Sequence, residues 1–333
     1  MSMASPTAKP AATVARPAAP SVRRLAPLVI FALLALLPLA SLLGLPGHWL
    51  TLVTRAMILA IAALSLDLVL GIGGLISFGH AAYIGIGAYG AGILISEGQT
   101  ELLVALPVIL LACAVFAAVT GYVSLRTRGV AFIMITLAFG QMAFYFAQAL
   151  SAYGGDDGLT LYEKSTLFGR EIFSNRTGFY YIALGTLAAC YWLARRLVAS
   201  RFGRVLRAAR ENAVRVTVTG YDVNHVRLGA YVISGMMAGL SGLLLANQTD
   251  FVSPAYMSWP RSGELIFMVV LGGVGSLYGA ILGALAFLVT EDVLSSLTQN
   301  WKVIFGPLIV LFVLFTHGGI AGLVTKLRGR RDG

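Results

Sequence analysis

The sequence predicts an all-α fold, a polytopic transmembrane helical bundle of about ten spans with broken, glycine-rich helices. Three observations predict it. Of 333 residues, 58% are hydrophobic and only 11% are charged, where a soluble domain carries about 25% charged residues. No soluble fold of this size could hide so much apolar surface, so the solvent is lipid. The apolar runs are long and continuous, not alternating, which selects helices over a closed barrel. The chain also carries 38 glycines, which membrane helices tolerate because glycine permits close helix contact and breaks.

In chain order, residues 1–22 are rich in Ala, Pro, Ser and Thr without periodicity, the composition of a disordered tail, assigned to 1–25. Arg23 and Arg24 precede an apolar run from Ala26 to Leu45. It is about a full span long with no small-x-small cleavage site, so it reads as a retained first helix. The next runs are Trp49–Leu70 and Leu75–Ser96. The glycine-rich stretch from Gly71 to Gly92 is too rich in glycine for a lipid-facing helix and belongs inside the bundle, broken or tightly crossed. Runs four to seven are Glu101–Leu125, Gly129–Leu150, Phe179–Leu197 and Val226–Asn247, with a polar loop over 151–177. The eighth, Gly263–Val274, is too short to span unaided, which makes the following GGVGSLYG a break at membrane depth. The ninth and tenth are Gly279–Ser295 and Val303–Gly318. The membrane domain covers 26–320, and a basic tail covers 321–333.

The net charge of +10 suggests nucleic acid, but the basic residues sit in short loops between apolar runs, where they set orientation. With ten spans both termini share one side. Only Arg55, Lys164, Arg170, Arg176, Arg261 and Lys302 then fall on the other side. That asymmetry makes the terminal side cytoplasmic. Cys113 and Cys190 lie within apolar runs and read as packing residues.

The longest strongly polar run between apolar segments is Ser200–Arg227. Arg201, Arg204, Arg207 and Arg210 recur every three residues, which on a helix makes a solvated basic ridge. Asn212 and Gly220 punctuate its end, and Gly220 can take a left-handed backbone. Charge alone fits either an ordinary loop on the positive side or a short docking helix for a soluble partner.

No phosphate-cradling G-x-x-x-x-G-K-[ST] loop, H-E-x-x-H helix or G-x-S-x-G elbow occurs. The chain therefore does not itself use ATP and shows no enzyme motif. Polar residues within spans are the functional candidates. Asp67 reads as a cap on the Gly71 turn or as a buried functional carboxylate. His80 lies three residues past Ser77, placing both on one helical face, as path-lining groups or as partners of neighbouring carbonyls. Gln141, Tyr145 and Gln148 follow i, i+4, i+7 spacing, a polar stripe that fits a helix–helix hydrogen-bond seam or a solute path. Thr136 falls off that face, and Glu264 reads as interfacial. Gly73-Gly74-x-x-Ser77 is echoed by Gly272-Gly273-x-x-Ser276, as in transporters with glycine-broken repeats. No stripe of repeated arginines resembles a voltage sensor, and no TVGYG-like filter marks a channel.

Five segments carry a family resemblance: GGLISFGHAAYIGIGAYGAGIL (Gly73–Leu94), RGVAFIMITLAFGQM (Arg128–Met142), GGDDGLT (Gly154–Thr160), Ser200–Leu244 and VVLGGVGSLYGAILGA (Val269–Ala284). Over most of residues 50–320 the chain resembles the LivH/LivM permease family of bacterial ABC importers for branched-chain amino acids, in its LivM type. Ala131 stands where the family usually has Tyr, and Phe78 where it has Leu. Relatives that move urea, short amides or other amino acids look much alike.

The resemblance implies a permease that passes a small solute across the bacterial inner membrane by ATP-driven alternating access. It binds no cofactor of its own, and ATP is used by partner subunits. The implied partners are two ABC ATPase subunits, a second LivH-like permease and a periplasmic substrate-binding protein, with no nucleic acid. It places a coupling helix within 200–227, with Arg204, Arg207, Glu211 and Gly220 as ATPase-docking residues. The periplasmic loop 151–177 and Phe251–Arg261 would face the binding protein. Ser77, His80, Gln141, Tyr145 and Gln148 are the expected translocation path. The rival class is a carrier or channel that needs no ATPase.

Overall fold

The computed structural model describes residues 22–42, 47–169, 173–298, 300–316 and 318–323. Most of the two expected tails, together with Arg170, lies outside the described residues. Each of the ten apolar runs forms a helix. In order these are α1 (Val22–Leu42), α2 (Gly47–Asp67), α3 (His80–Ser96), α4 (Leu102–Ser124), α5 (Val130–Ala149), α6 (Arg176–Ala199), α9 (Val223–Thr249), α10 (Trp259–Gly272), α11 (Leu277–Leu297) and α12 (Trp301–Phe315). Between α6 and α9 lie α7 (Arg201–Glu211) and α8 (Ala213–Val218). Helix α1 begins at Val22 and so takes in the end of the expected tail. Among the described residues, seven helices are long and apolar enough to cross a membrane, while Ala26–Leu39 and His80–Ser96 are shorter apolar helices. At 14 residues and 1.5 Å per residue, α10 is about 21 Å long, short of a ~30 Å hydrocarbon core.

Helix α2 is the central post. It is apolar on every side, and its residues from Ala56 onward are buried without exception, as expected of a helix with no polar face. It packs on α6, α9, α10 and α11. Its last turn widens over Leu68–Ile72, where Gly73 N–H reaches back to Leu68 O at 3.2 Å. The chain then leaves helical geometry at Gly74 (φ +70°) and resumes at His80. Helices α3 and α9 cross in backbone contact: a side chain on Gly87 would strike Gly239 O, and one on Gly242 would strike Ile84 O. Cys113 and Cys190 are free and buried.

Helix α1 shows how a proline is accommodated in lipid. Pro38 has no N–H for the carbonyl of Leu34. The Tyr180 hydroxyl on α6 donates to that oxygen at 2.6 Å instead. This bond also fixes α1 against the bundle.

At the end of the bundle remote from α7, the loops join. Strand β1 (Leu159–Thr160) pairs antiparallel with β2 (Phe251–Val252), in register Leu159 with Val252. Lys164 Nζ meets Asp250 Oδ2 at 3.2 Å, and Ser165 N–H donates to Asn247 Oδ1 at 2.9 Å. The two loops expected to face a binding protein therefore form one tied surface.

Candidate functional site

The polar candidates fall in three places. Ser77 and His80 are fully buried at the crossing of α3, α4 and α9. Ser77 precedes α3 and does not share a helical face with His80; the three-residue argument fails because residues 74–79 are not helical. They meet nonetheless around Tyr231 of α9. Ser77 Oγ lies 3.4 Å from the Tyr231 hydroxyl, and the His80 and Tyr231 rings stand edge to face at 6.2 Å. Tyr83 completes the knot, its ring 5.9 Å from Tyr231 and its hydroxyl 3.2 Å from Thr120 Oγ1.

The protonation of this knot follows from donor counting. Ser234 Oγ donates its one proton to Ser65 O. His80 Nε2, 2.7 Å from that oxygen, must therefore be the donor. The ring carries a proton on Nε2, and its Nδ1 is buried with no partner among the described residues. Ser234 and Ser65 thus bind α9 to α2, and His80 adds α3. Neither serine was singled out in the sequence, where one hydroxyl in an apolar run carries no signal of its partner.

Gln141, Tyr145 and Gln148 form the second place. They lie on α5, away from the knot, and Tyr145 is 63% exposed. Gln148 Nε2 donates to Asp156 Oδ1. Gln141 and Tyr145 make no side-chain hydrogen bond among the described residues, so the stripe is not a seam within this chain. By contrast the exposed face of α4 is Leu103, Val108, Leu111, Val115 and Val119, a lipid-compatible set. Thr136 lies off the stripe as expected: it is buried, and its Oγ1 accepts from Phe78 N–H at 3.2 Å, holding the break before α3.

The third place is α7–α8. All four arginines are exposed, but three of them are not merely solvated. Arg207 Nη2 donates to Val198 O at 2.5 Å, Arg204 Nη1 to Ala199 O at 3.4 Å, and Arg210 Nη1 to Gly71 O. These carbonyls end α6 and α2, where a cation also meets the negative end of the helix dipole. The reading as a solvated ridge holds for exposure and is corrected for those three: spacing places charges on a face but does not reveal the helix ends beneath it. Arg227, buried at the start of α9, donates to Ala209 O at 3.0 Å. Asn212 closes α7 and caps α8 by accepting from Arg215 N–H at 3.0 Å. Glu211 ends α7 exposed, and Gly220 has φ +89°. Between them Val214 and Val218 project into solvent at 67% and 83% exposure. Asp222 caps α9, accepting from Asn224 N–H at 2.9 Å and His225 N–H at 3.1 Å. The His225 side chain beside it holds its carboxyl below the usual carboxylate range.

Asp67 does not cap its own turn. Its Oδ1 accepts from Gly275 N–H at 2.7 Å, across to the turn between α10 and α11. The two echoed glycine breaks therefore touch: a side chain on Gly71 would strike Gly275. Glu264 is paired, its Oε2 2.6 Å from Arg261 Nη1.

A bundle of apolar helices around a buried polar knot, with a polar outer stripe and a basic helical loop, defines the class: a polytopic membrane protein of transport type. The comparisons name the family. The model for "Branched-chain amino acid transport system / permease component" matches residues 48–314, and the chain belongs to that family. It is similar to the high-affinity branched-chain amino acid transport system permease protein LivM of Escherichia coli, 29% identical over 290 residues, covering 80% of this chain and 68% of the relative. It is also similar to BraD of Pseudomonas aeruginosa, 28% identical over 284 residues covering 79% and 91%, and to LivH of Salmonella typhimurium, 25% identical over 290 residues covering 81% and 93%. The last two bear the same description as LivM. No solved structure matches.

Proposed function

We propose that this permease passes branched-chain amino acids across the bacterial inner membrane as one half of an ATP-driven importer, with both termini cytoplasmic. The observation that carries the reading is α7–α8. A loop between two spans that forms a capped helix and presents Val214 and Val218 to solvent is built to enter a groove on a soluble partner. Two ABC ATPases, which use the ATP, are that partner class, and Arg204, Arg207, Glu211 and Gly220 border the contact.

A second, LivH-like permease would cover the α5 stripe, so that Gln141, Tyr145 and Gln148 line a path between the two chains. Polar groups on an outer face favour a covered, wet surface over lipid. Ser77 and His80 would then act from behind this path, through Tyr231. The tied 151–177 and 251–252 loops would receive a periplasmic binding protein.

The test is ATPase activity of the reconstituted complex with its binding protein, across leucine, isoleucine, valine, urea and short amides. Stimulation by a branched-chain amino acid supports the reading in full. Stimulation by urea or an amide keeps the importer class and changes the solute. A chain that transports alone, without recruiting an ATPase, is a secondary carrier or channel and refutes the reading.

A further inference from the structure

A cavity of about 500 Å³ opens at the α7 end of the bundle, away from both the polar knot and the α5 stripe. Arg195, Arg207 and Arg210 line it, with Gly275, Ser276 and Tyr278 opposite. We infer that this cavity binds a phosphate group.

Charge comes first. Three guanidiniums share one concave wall, and none of them makes an ion pair among the described residues. Among the described residues, no Asp or Glu lines the cavity. Asp67 lies behind Gly71, its Oδ1 accepting from Gly275 N–H and its Oδ2 buried with no partner among the described residues. Geometry comes second. Arg207 and Arg210 are anchored through Val198 O and Gly71 O. A guanidinium has five N–H donors, so these bonds fix each fork while leaving donors for a ligand. The Arg195 side chain makes no hydrogen bond or ion pair among the described residues.

The opposite wall is the start of α11. Its N-cap residue, Ser276, gives no side-chain cap, its Oγ is buried with no partner among the described residues, and the first turn holds no acidic residue. Free N–H groups at a helix start attract anions. Three cations and a helix start suit the tetrahedrally spread oxygens and higher charge of a phosphate better than a planar carboxylate. The volume is within the ~300–1,000 Å³ range of small-ligand pockets. The apolar neighbours Ile72, Val198 and Leu277 suit a phosphate that carries an organic group. Its source is either a phospholipid headgroup or a soluble phosphate. The inference rests on this cavity and not on the transport reading.

The test uses the full-length chain in neutral detergent after delipidation. Thermal unfolding is followed while inorganic phosphate replaces chloride at constant ionic strength. In parallel, protein extracted from vesicles of phosphatidylcholine and phosphatidylglycerol is analysed by native mass spectrometry for retained lipid. Two variants are compared: Arg195→Gln, and Arg196→Gln as a neighbour that packs on the Trp192 ring outside the cavity. The expected result is saturable stabilisation by phosphate, weakened about tenfold by Arg195→Gln and unchanged by Arg196→Gln. Retained phosphatidylglycerol that is lost with Arg195→Gln assigns the lipid source. Phosphate stabilisation with no retained phosphatidylglycerol assigns the soluble source. The inference is overturned if phosphate acts no differently from chloride and no lipid is retained, or if the two variants behave alike.

Discussion

Replacing Ser234 by alanine tests the buried knot most directly. The hydroxyl serves two neighbours at once, accepting from His80 Nε2 at 2.7 Å and donating to Ser65 O. Its removal leaves the His80 Nε2–H donor unpaired where water is absent and takes one bond from the Ser65 carbonyl, an oxygen within helix α2. In soluble proteins each such orphan costs about 1–3 kcal/mol. Side-chain hydrogen bonds between membrane helices average about 0.6 kcal/mol by mutant cycles. The second figure sets the floor, because the unfolded chain in lipid also finds partners. The expected loss is therefore about 1–3 kcal/mol for the pair of bonds. Ser241 supplies the control on the same helix: it too is fully buried, but its Oγ has no partner among the described residues. Ser241→Ala removes a polar group that earns no bond, so it should be neutral or slightly stabilising. The assay is reversible unfolding in mixed micelles with increasing dodecyl sulfate. If Ser234→Ala proves no less stable than Ser241→Ala, the hydrogen-bond chain from α3 through α9 to α2 is wrong.

Gly220→Val should disturb the link between α8 and α9, because φ is +89° and a branched side chain there is strained by about 1–2 kcal/mol although nothing stands within 4 Å of its Cβ. Solute-stimulated ATPase activity should fall while bundle stability holds; unchanged coupling would remove any role for that turn. Gln141→Leu should abolish transport in assembled complexes, with fluorescence-detected size exclusion showing intact assembly. Retained transport would take the α5 stripe off the path. Asp222 has a folded-state pKa below its ordinary value of 3.8. Its stabilising contribution is thus complete above that value and fades as pH falls through the lower one. Hydrogen-exchange protection factors at the start of α9, corrected for the intrinsic rate, should fall only below about pH 4 in the native chain, and Asp222→Asn should remove that dependence.

The sequence carried the helices well because lipid leaves them little choice. Each apolar run became a helix, and both glycine breaks appear at Gly74 and at Gly273–Gly275, where positive φ values demand glycine. Partners were another matter. Asp67 was read against its own turn, but its partner lies 208 residues away, and no periodicity reports that distance. Ser77 and His80 were joined by a helical argument that their backbone does not obey, yet they meet through Tyr231, which the pattern did not mark. The three-residue spacing of the arginines correctly placed them along α7. It could not reveal that Arg207 and Arg210 reach carbonyls at the ends of α6 and α2. Asp67, Arg207 and Arg210 sit where helix ends converge, and convergence is a property of the fold.

That convergence bears on how movement of α7 would reach the membrane helices. The Gly71 end of α2 is held by Arg210 from one side and touches the Gly275 turn on the other, where Asp67 accepts from Gly275 N–H. Neither glycine has a side chain to absorb a displacement by changing rotamer. A shift of α7 relative to α2 beyond the reach of the Arg210 side chain must therefore break its bond to Gly71 O or carry Gly71 with it. If Gly71 moves, the Gly275 turn must move as well, because the backbones already lie in contact. The α10–α11 pair then responds as a unit, since Gly283 fits directly against the Met268 carbonyl. Backbone packed on backbone is stiff and has few intermediate arrangements, which makes this junction suited to switching between two packings rather than to gradual flexing.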